Sequence, residues 1–170
     1  MRFALLLALT LVSAVATAAD LTPAASRPPA PTLSLDDLDG GTKSLADHAG
    51  SLVVLSFWAT WCGPCLQEIP FMNTFFERYR DQGLVVFAVN TDGPETVADV
   101  RATARRGRWT LPVLLDPDGA ASAALNPRGM VPFTMFIDRQ GRVAATHEGF
   151  STGDEVTHEA HIQALLAEPR

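Results

Sequence analysis

The chain has 170 residues, 47% of them hydrophobic, with a formal net charge of −6 and two cysteines. That length is about one domain, with enough apolar content for a core. The acidic balance, with no basic run, excludes nucleic acid as a main partner.

The N-terminus opens with Arg2, an apolar run from Phe3 to Leu9, and small residues as far as Ala19. Ala16-Thr17-Ala18 fits a small-x-small cleavage site, so residues 1–19 are predicted to be a secretory signal peptide. No second arginine adjoins Arg2 and no cysteine follows the run, which favours general secretion over twin-arginine export or lipidation. The expected location is periplasmic or secreted. The alternative is a membrane anchor left uncleaved, for which the stretch is short and rich in alanine. Residues 20–32 contain "LTPAASRPPAPT" and are predicted to be an extended, flexible linker. The folded domain is expected over 33–170.

In that domain "LSLDDLDGGTKSLADH" alternates on either side of Asp39-Gly40-Gly41, predicting a β-hairpin. "LVVLSFW" and "LVVFAVNTD" are continuous apolar runs that suit strands buried on both faces. Between them Leu66, Ile69, Phe71, Met72, Phe75, Phe76 and Tyr79 recur at helical spacing, with Gly83 as a stop. Pro70 lies inside this helix and is expected to kink it. "GPETVADVRATARRG" predicts a helix with Pro94 near its start, "LPVLLD" a strand and "PDGAASAAL" a short helix or turn. "VPFTMFIDRQGRVAATHEG" predicts two antiparallel strands around Gln140-Gly141, and "GDEVTHEAHIQALLAE" a last helix. Alternating strands and helices argue for an α/β fold, a central mixed sheet with helices on both faces.

The two cysteines, Cys62 and Cys65, form a C-G-P-C motif where the strand ending near Trp58 leads into the next helix. A bond between them closes too small a loop to be an effective staple, so the pair is chemical rather than structural. A zinc site needs two further ligands. The candidates are His48, His147, His158 and His161, and the last two, three apart on a helix, read more simply as a solvated face. Haem attachment needs histidine at position 66, which is Leu66. The remaining reading is a redox dithiol without metal or cofactor. A thiolate at a helix N-terminus is stabilised by unpaired N–H groups and the helix dipole. A free cysteine ionises at about 8.5, and in such a motif, as known for thioredoxin, at about 7. The difference is worth roughly 2 kcal/mol and raises the thiolate fraction at neutral pH to about half. Cys62 is therefore expected to be the exposed attacking thiol. Cys65, one turn inside the helix, is expected to resolve the intermediate. Pro64 fits the first helical turn, and Trp61 is expected at the rim as a shield and a platform for a partner.

"FWATWCGPC", with Pro70 five residues after Cys65, resembles the thioredoxin superfamily. More narrowly, residues 33 to 166 resemble the exported TlpA/ResA/CcmG-like thiol-disulfide oxidoreductases. The resemblance implies a thioredoxin-like fold with an N-terminal hairpin and an extra helix and strand between Asn90 and Pro132. It assigns Glu68 as the active-site glutamate, against a plainer role as an exposed acid favouring the helix dipole. As a base, Glu68 would help to deprotonate Cys65. The resemblance also notes Ser56 where cytoplasmic thioredoxins carry a buried carboxylate, and a cis Val131–Pro132 bond facing the motif. Trp61, Gly63, Pro64, Val131 and Pro132 then form the substrate-binding surface. "RGMVP" departs from the commoner Gly-x-Pro and leaves that loop's shape open. Gly149 reads equally as a backbone passing near the site or as a turn glycine.

The implied partners are disulfide-containing exported proteins, such as apocytochrome c or copper-site proteins, with a membrane thiol reductant as electron donor. Gly63-Pro64 is the dipeptide of thioredoxin, whose potential is about −270 mV, which favours reduction over oxidation. Two alternatives stay open: a metallochaperone holding copper(I) between the thiols, and a peroxiredoxin-like peroxidase, whose local cysteine pattern differs from "ATWCGPC".

Overall fold

The structure is a computed structural model and describes residues 20–169. The signal peptide expected over 1–19 lies outside the described residues.

One seven-stranded sheet, in the order β2-β1-β5-β4-β3-β6-β7, organises the chain. The hairpin is β1 (Ser34–Asp37) and β2 (Thr42–Ser44), turning through Gly40 and Gly41 at φ of 105° and 81°. L-residues with a side chain avoid that region, which is why the turn carries glycines. β3 (Leu52–Trp58) leads into α1 (Gly63–Tyr79), and β4 (Leu84–Asn90) returns parallel to β3. The insertion between Asn90 and Pro132 is a short 3-10 turn, α2 (Val97–Gly107), β5 (Val113–Leu115) and α3 (Ala120–Leu125). β5 joins β4 in parallel and accepts β1 of the hairpin antiparallel on its other side. β6 (Phe133–Ile137) and β7 (Val143–Glu148) run antiparallel beyond β3, and α4 (Asp154–Ala167) closes the chain. This is the thioredoxin-like α/β fold, a mixed sheet flanked by helices.

β3 is buried at all seven positions, so its alternate side chains build two separate cores. Leu52, Val54 and Trp58 pack with Ile69, Met72 and Phe75 of α1, Val100 of α2, and Ile162 and Leu165 of α4. Val53, Leu55 and Phe57 pack with Phe87, Leu114, Leu125 and Phe133 on the opposite face. Each fully buried large side chain contributes about 1.5–3 kcal/mol, and the two layers together hold the strand between them rigid. Pro70 sits inside a helix that is continuous from Gly63 to Tyr79.

Two expectations change here. The segment read as a flexible linker is extended but pinned along β7. Thr22 N–H donates to Ala144, Ala30 N–H to Gly141, and Val143 N–H to Pro28, at 2.8–2.9 Å. Arg27 anchors it, pairing with the buried Asp138 at 3.0 Å and with Glu168 at 2.7 Å. The composition suggested little to bury, but one cation with two acids to reach is enough to fix the segment. His158 and His161, read as a solvated face, are both buried, at 0% and 5% exposure. They share the inward face of α4 with Ile162 and Leu165.

Candidate active site

β3 delivers the chain to the site. Trp58 ends β3 and packs edge-on against Trp109 at 5.1 Å between ring centroids. The loop that follows is tied to β4. Thr60 N–H donates to Asp92 Oδ2 at 2.8 Å, Asn90 Nδ2 donates to the same oxygen at 2.9 Å, and Thr91 N–H donates to Trp58 at 2.9 Å.

Cys62 is the N-cap of α1, and its sulfur accepts the Cys65 N–H at 3.2 Å. One of the unpaired amides of the first helical turn is therefore spent on the sulfur, where it and the dipole favour negative charge. Cys62 and Cys65 are joined by a disulfide. In this oxidised form the expected exposed thiol is not exposed: Cys62 retains 4% and Cys65 0% of its surface. The physical reason is that the Cys62 sulfur is held inward, bonded to Cys65 and capping its amide. Exposure belongs instead to Trp61, at 76%, and to the adjoining Gly63 and Pro64. Leu66, Phe71 and Met130 are further exposed apolar side chains, and Phe71 lies 5.9 Å from the Phe150 ring.

The Val131–Pro132 bond is cis. Phe133 pairs with Phe57 across β6 and β3, so Pro132 lies at the same end of the sheet as Trp58 and the motif. The "RGMVP" departure is accommodated by Asn126, whose Nδ2 donates to the Met130 carbonyl at 2.6 Å, and by a turn through Gly129 at φ 63°. Gly149 does both things considered for it. It turns at φ 81°, and its N–H donates to the Pro132 carbonyl at 2.8 Å.

Glu68 is fully buried rather than an exposed acid at the helix start. It stands one turn after Cys65 on α1, on the face turned to the sheet. Ser56 Oγ of β3 donates to its Oε2 at 3.0 Å, and Thr134 Oγ1 of β6 donates to its Oε1 at 2.7 Å. Where cytoplasmic thioredoxins place a carboxylate on the strand, this chain places Ser56, and α1 brings the carboxylate to it. Burial pushes the Glu68 carboxyl up to about 7, against the pull of the Thr134 and Ser56 hydroxyls. Behind it lies His158 of α4, with Nδ1 3.7 Å from Glu68 Oε1. Burial, reinforced by His147, holds that imidazole down at about 4. Thr134, Asn90 and Asp92 were not singled out for the site from sequence, and His158 was considered only as a zinc ligand or a solvated helix face. The available signal was a polar residue inside a buried run, as with Thr134 in "PFTMFID".

A paired CGPC motif on a helix N-terminus, with a buried carboxyl one turn on and a cis-proline at the same sheet end, suits dithiol–disulfide exchange. Residues 27–146 match the AhpC/TSA family. The chain belongs to that family. Within it, the chain is 35% identical over 136 residues to the thiol-disulfide oxidoreductase ResA of Geobacillus kaustophilus, covering 80% of this chain and 75% of that protein. It is 40% identical over 128 residues to the thioredoxin-like protein YneN of Bacillus subtilis, covering 75% and 74%. The Chlorobium tepidum structure described as a thiol:disulfide interchange protein DsbE superposes with a TM-score of 0.76. Its identity is 35%, over 83% of this chain and 97% of that one. This member of the AhpC/TSA family is a thiol-disulfide oxidoreductase.

Proposed function

We propose that the protein reduces disulfides in exported partner proteins, with Cys62 as nucleophile, Cys65 as resolving thiol and Glu68 as its base. The observation that carries this is the Cys65 amide donating to the Cys62 sulfur at the start of α1. In the reduced protein the same amide stabilises a Cys62 thiolate. That thiolate attacks a partner disulfide, forming a mixed disulfide and releasing the partner's other sulfur as a thiolate. Cys65 loses its proton to Glu68, attacks the Cys62 sulfur and releases the partner's second thiolate. The partner gains two electrons and the motif becomes the disulfide seen here, to be re-reduced by a thiol donor at the membrane.

A Glu68 carboxyl near 7 is matched to this work, because an acid that strongly ionised could not take a thiol proton at neutral pH. Trp61, Gly63, Pro64, Val131 and Pro132 form the contact surface, with Val131 half-buried and Pro132 buried behind it, and the backbone of Val131 beside the cis bond offers strand-like pairing to an extended peptide. The apolar N-terminal segment supports export to the periplasm or cell exterior, or retention at the membrane through that segment. Apocytochrome c and copper-site proteins are the proposed substrate classes.

A Cys65→Ala variant expressed in the native host tests the reading, since it should accumulate a partner joined through Cys62. Absence of any covalent partner, together with wild-type protein inert towards insulin disulfides, would sink it. Peroxide consumption faster than by free dithiol would point to a peroxidase instead. Tight copper(I) binding by the reduced protein would point to a metallochaperone.

A further inference from the structure

The thiol proton taken by Glu68 is delivered into a closed space. Glu68 is 0% exposed, its two oxygens already accept from Ser56 and Thr134, and those hydroxyls lie on buried strands. The proton must leave before the next cycle.

One group behind Glu68 is suited to carry it. His158 is 0% exposed, and neither of its ring nitrogens has a hydrogen-bond partner among the described residues. Buried polar atoms are ordinarily paired, so an unpaired imidazole calls for an explanation. Its Nδ1 faces Glu68 Oε1 at 3.7 Å, and a movement of about 0.7 Å brings them to hydrogen-bonding distance. Its ring is walled by Phe136 at 5.6 Å and Phe150 at 6.1 Å, and meets His147 edge-on at 4.9 Å. His147 on β7 is 30% exposed, and its Nε2 pairs at 3.2 Å with Asp154 Oδ2, which is 31% exposed. The charged and titratable groups facing His158 are Glu68 from α1, His147 from β7, and Asp154 and His161 from α4. Glu68 and His158 are thus both fully buried, and His147 and Asp154 beyond them are partly exposed.

We infer that His158 is a positioning residue for the exchange reaction, relaying the Cys65 proton from Glu68 outward to the His147–Asp154 pair and solvent. A neutral imidazole has one N–H and one lone pair. It accepts the Glu68 proton at Nδ1 and gives up its Nε2 proton outward, which leaves the Nδ1–H tautomer; between cycles exchange with water removes the Nδ1 proton and returns one to Nε2, restoring the first tautomer. The carboxyl is left ionised and the imidazole unchanged. The proton balances one of the two that the released partner thiolates take from solvent. No electron passes along this route, since the redox step is confined to the sulfurs.

This inference rests on Glu68 being the base for Cys65, and the experiment separates the two. Reduced protein is mixed in stopped flow with the chromogenic disulfide dithiobis-nitrobenzoate. The first release of thionitrobenzoate reports attack by Cys62 and the second reports resolution by Cys65. His158→Phe, which keeps an aromatic ring in the slot, should leave the first phase unchanged. It should slow the second about tenfold at neutral pH, and added imidazole should restore the rate. A Glu68→Gln variant with a wild-type second phase overturns the base reading and the relay with it. A slow Glu68→Gln beside a wild-type His158→Phe overturns the relay alone. A slow His158→Phe that imidazole fails to rescue also overturns it, because His158 then only packs. If His158→Phe does not fold, His147→Asn at the partly exposed rim decides. Slowing of its second phase with imidazole rescue supports the relay, and a wild-type second phase refutes it.

Discussion

Ser56 on β3 donates its hydroxyl hydrogen to Glu68 on α1 at 3.0 Å, so a strand residue and a helix residue share one buried proton-binding site. Thr134 on β6 completes it from the other side at 2.7 Å. Both hydroxyls favour the ionised carboxylate and oppose the burial that raises its pKa to about 7. Removing either one, by Ser56→Ala or Thr134→Val, should move the inflection of the Cys65 resolution rate upward by about one pH unit. One such hydrogen bond is worth about 1 kcal/mol. An unchanged pH profile in both variants would show that this carboxyl does not govern the step.

Glu68 and His158 pull stability in opposite directions with pH. The carboxyl is raised from 4.5 to about 7 on folding, so the stability it contributes is fully present below 4.5 and is lost as pH rises through 7. The imidazole is lowered from 6.5 to about 4, so its contribution is present above 6.5 and is lost as pH falls through 4. Each span corresponds to about 3 kcal/mol. Over their shared window the two slopes cancel, and the wild-type unfolding free energy of the oxidised protein should be nearly level. Glu68→Gln should uncover the histidine slope, with stability rising from about pH 4 to 6.5. His158→Phe should uncover the opposite one. Urea unfolding across this range measures both, and parallel profiles for the two variants would refute the assignment.

The order of strands and helices was legible because it depends on local periodicity, and the motif because its residues are contiguous. The environment of Glu68 was not. It depends on strand register, with Ser56 opposite Thr134 across β3 and β6, and no local pattern encodes which strands become neighbours. His158 was within reach. His158, His161, Ile162 and Leu165 fall at i, i+3, i+4 and i+7, the spacing of a buried stripe, so the histidines belong with the apolar residues. Arg27 was the corresponding signal in the proline-rich segment, a lone cation amid residues with nothing else to bind.

That cation gives a third prediction. Arg27 is buried, and its guanidinium pairs with Asp138 and Glu168. Asp138 is held below the usual carboxylate range although burial opposes this, because Arg142 and Arg27 both donate to it. Arg27→Ala leaves Asp138 with Arg142 as its one ionic partner, beside the Gln140 N–H, and frees the N-terminal segment that lies along β7, here called the strap. Breaking a buried pair from one side costs about 3–5 kcal/mol, and the remaining arginine places the expected loss near the lower end. Urea unfolding measures it. Hydrogen exchange should localise the change to the amides of Thr22, Ala30 and Val143, which the strap engages. Protection lost uniformly across the sheet would argue against a local strap.

Asp92 offers a test of how the attacking sulfur is positioned. Its Oδ2 accepts from Thr60 N–H and from Asn90 Nδ2, and so ties the loop before Cys62 to the end of β4. The Cys62 N–H in turn donates to Ala59 at 3.1 Å, so the cap of α1 rests on that loop. Asp92→Ala leaves two donors without their acceptor, at about 1–3 kcal/mol of stability. It should slow the Cys62 phase of the stopped-flow reaction while leaving the inflection of the Cys65 phase in place, since Glu68 is held by other strands. Asp92→Asn keeps one carbonyl oxygen as acceptor and should recover most of the first-phase rate. Equal slowing of both phases would mean that Asp92 supports the whole site rather than the position of Cys62.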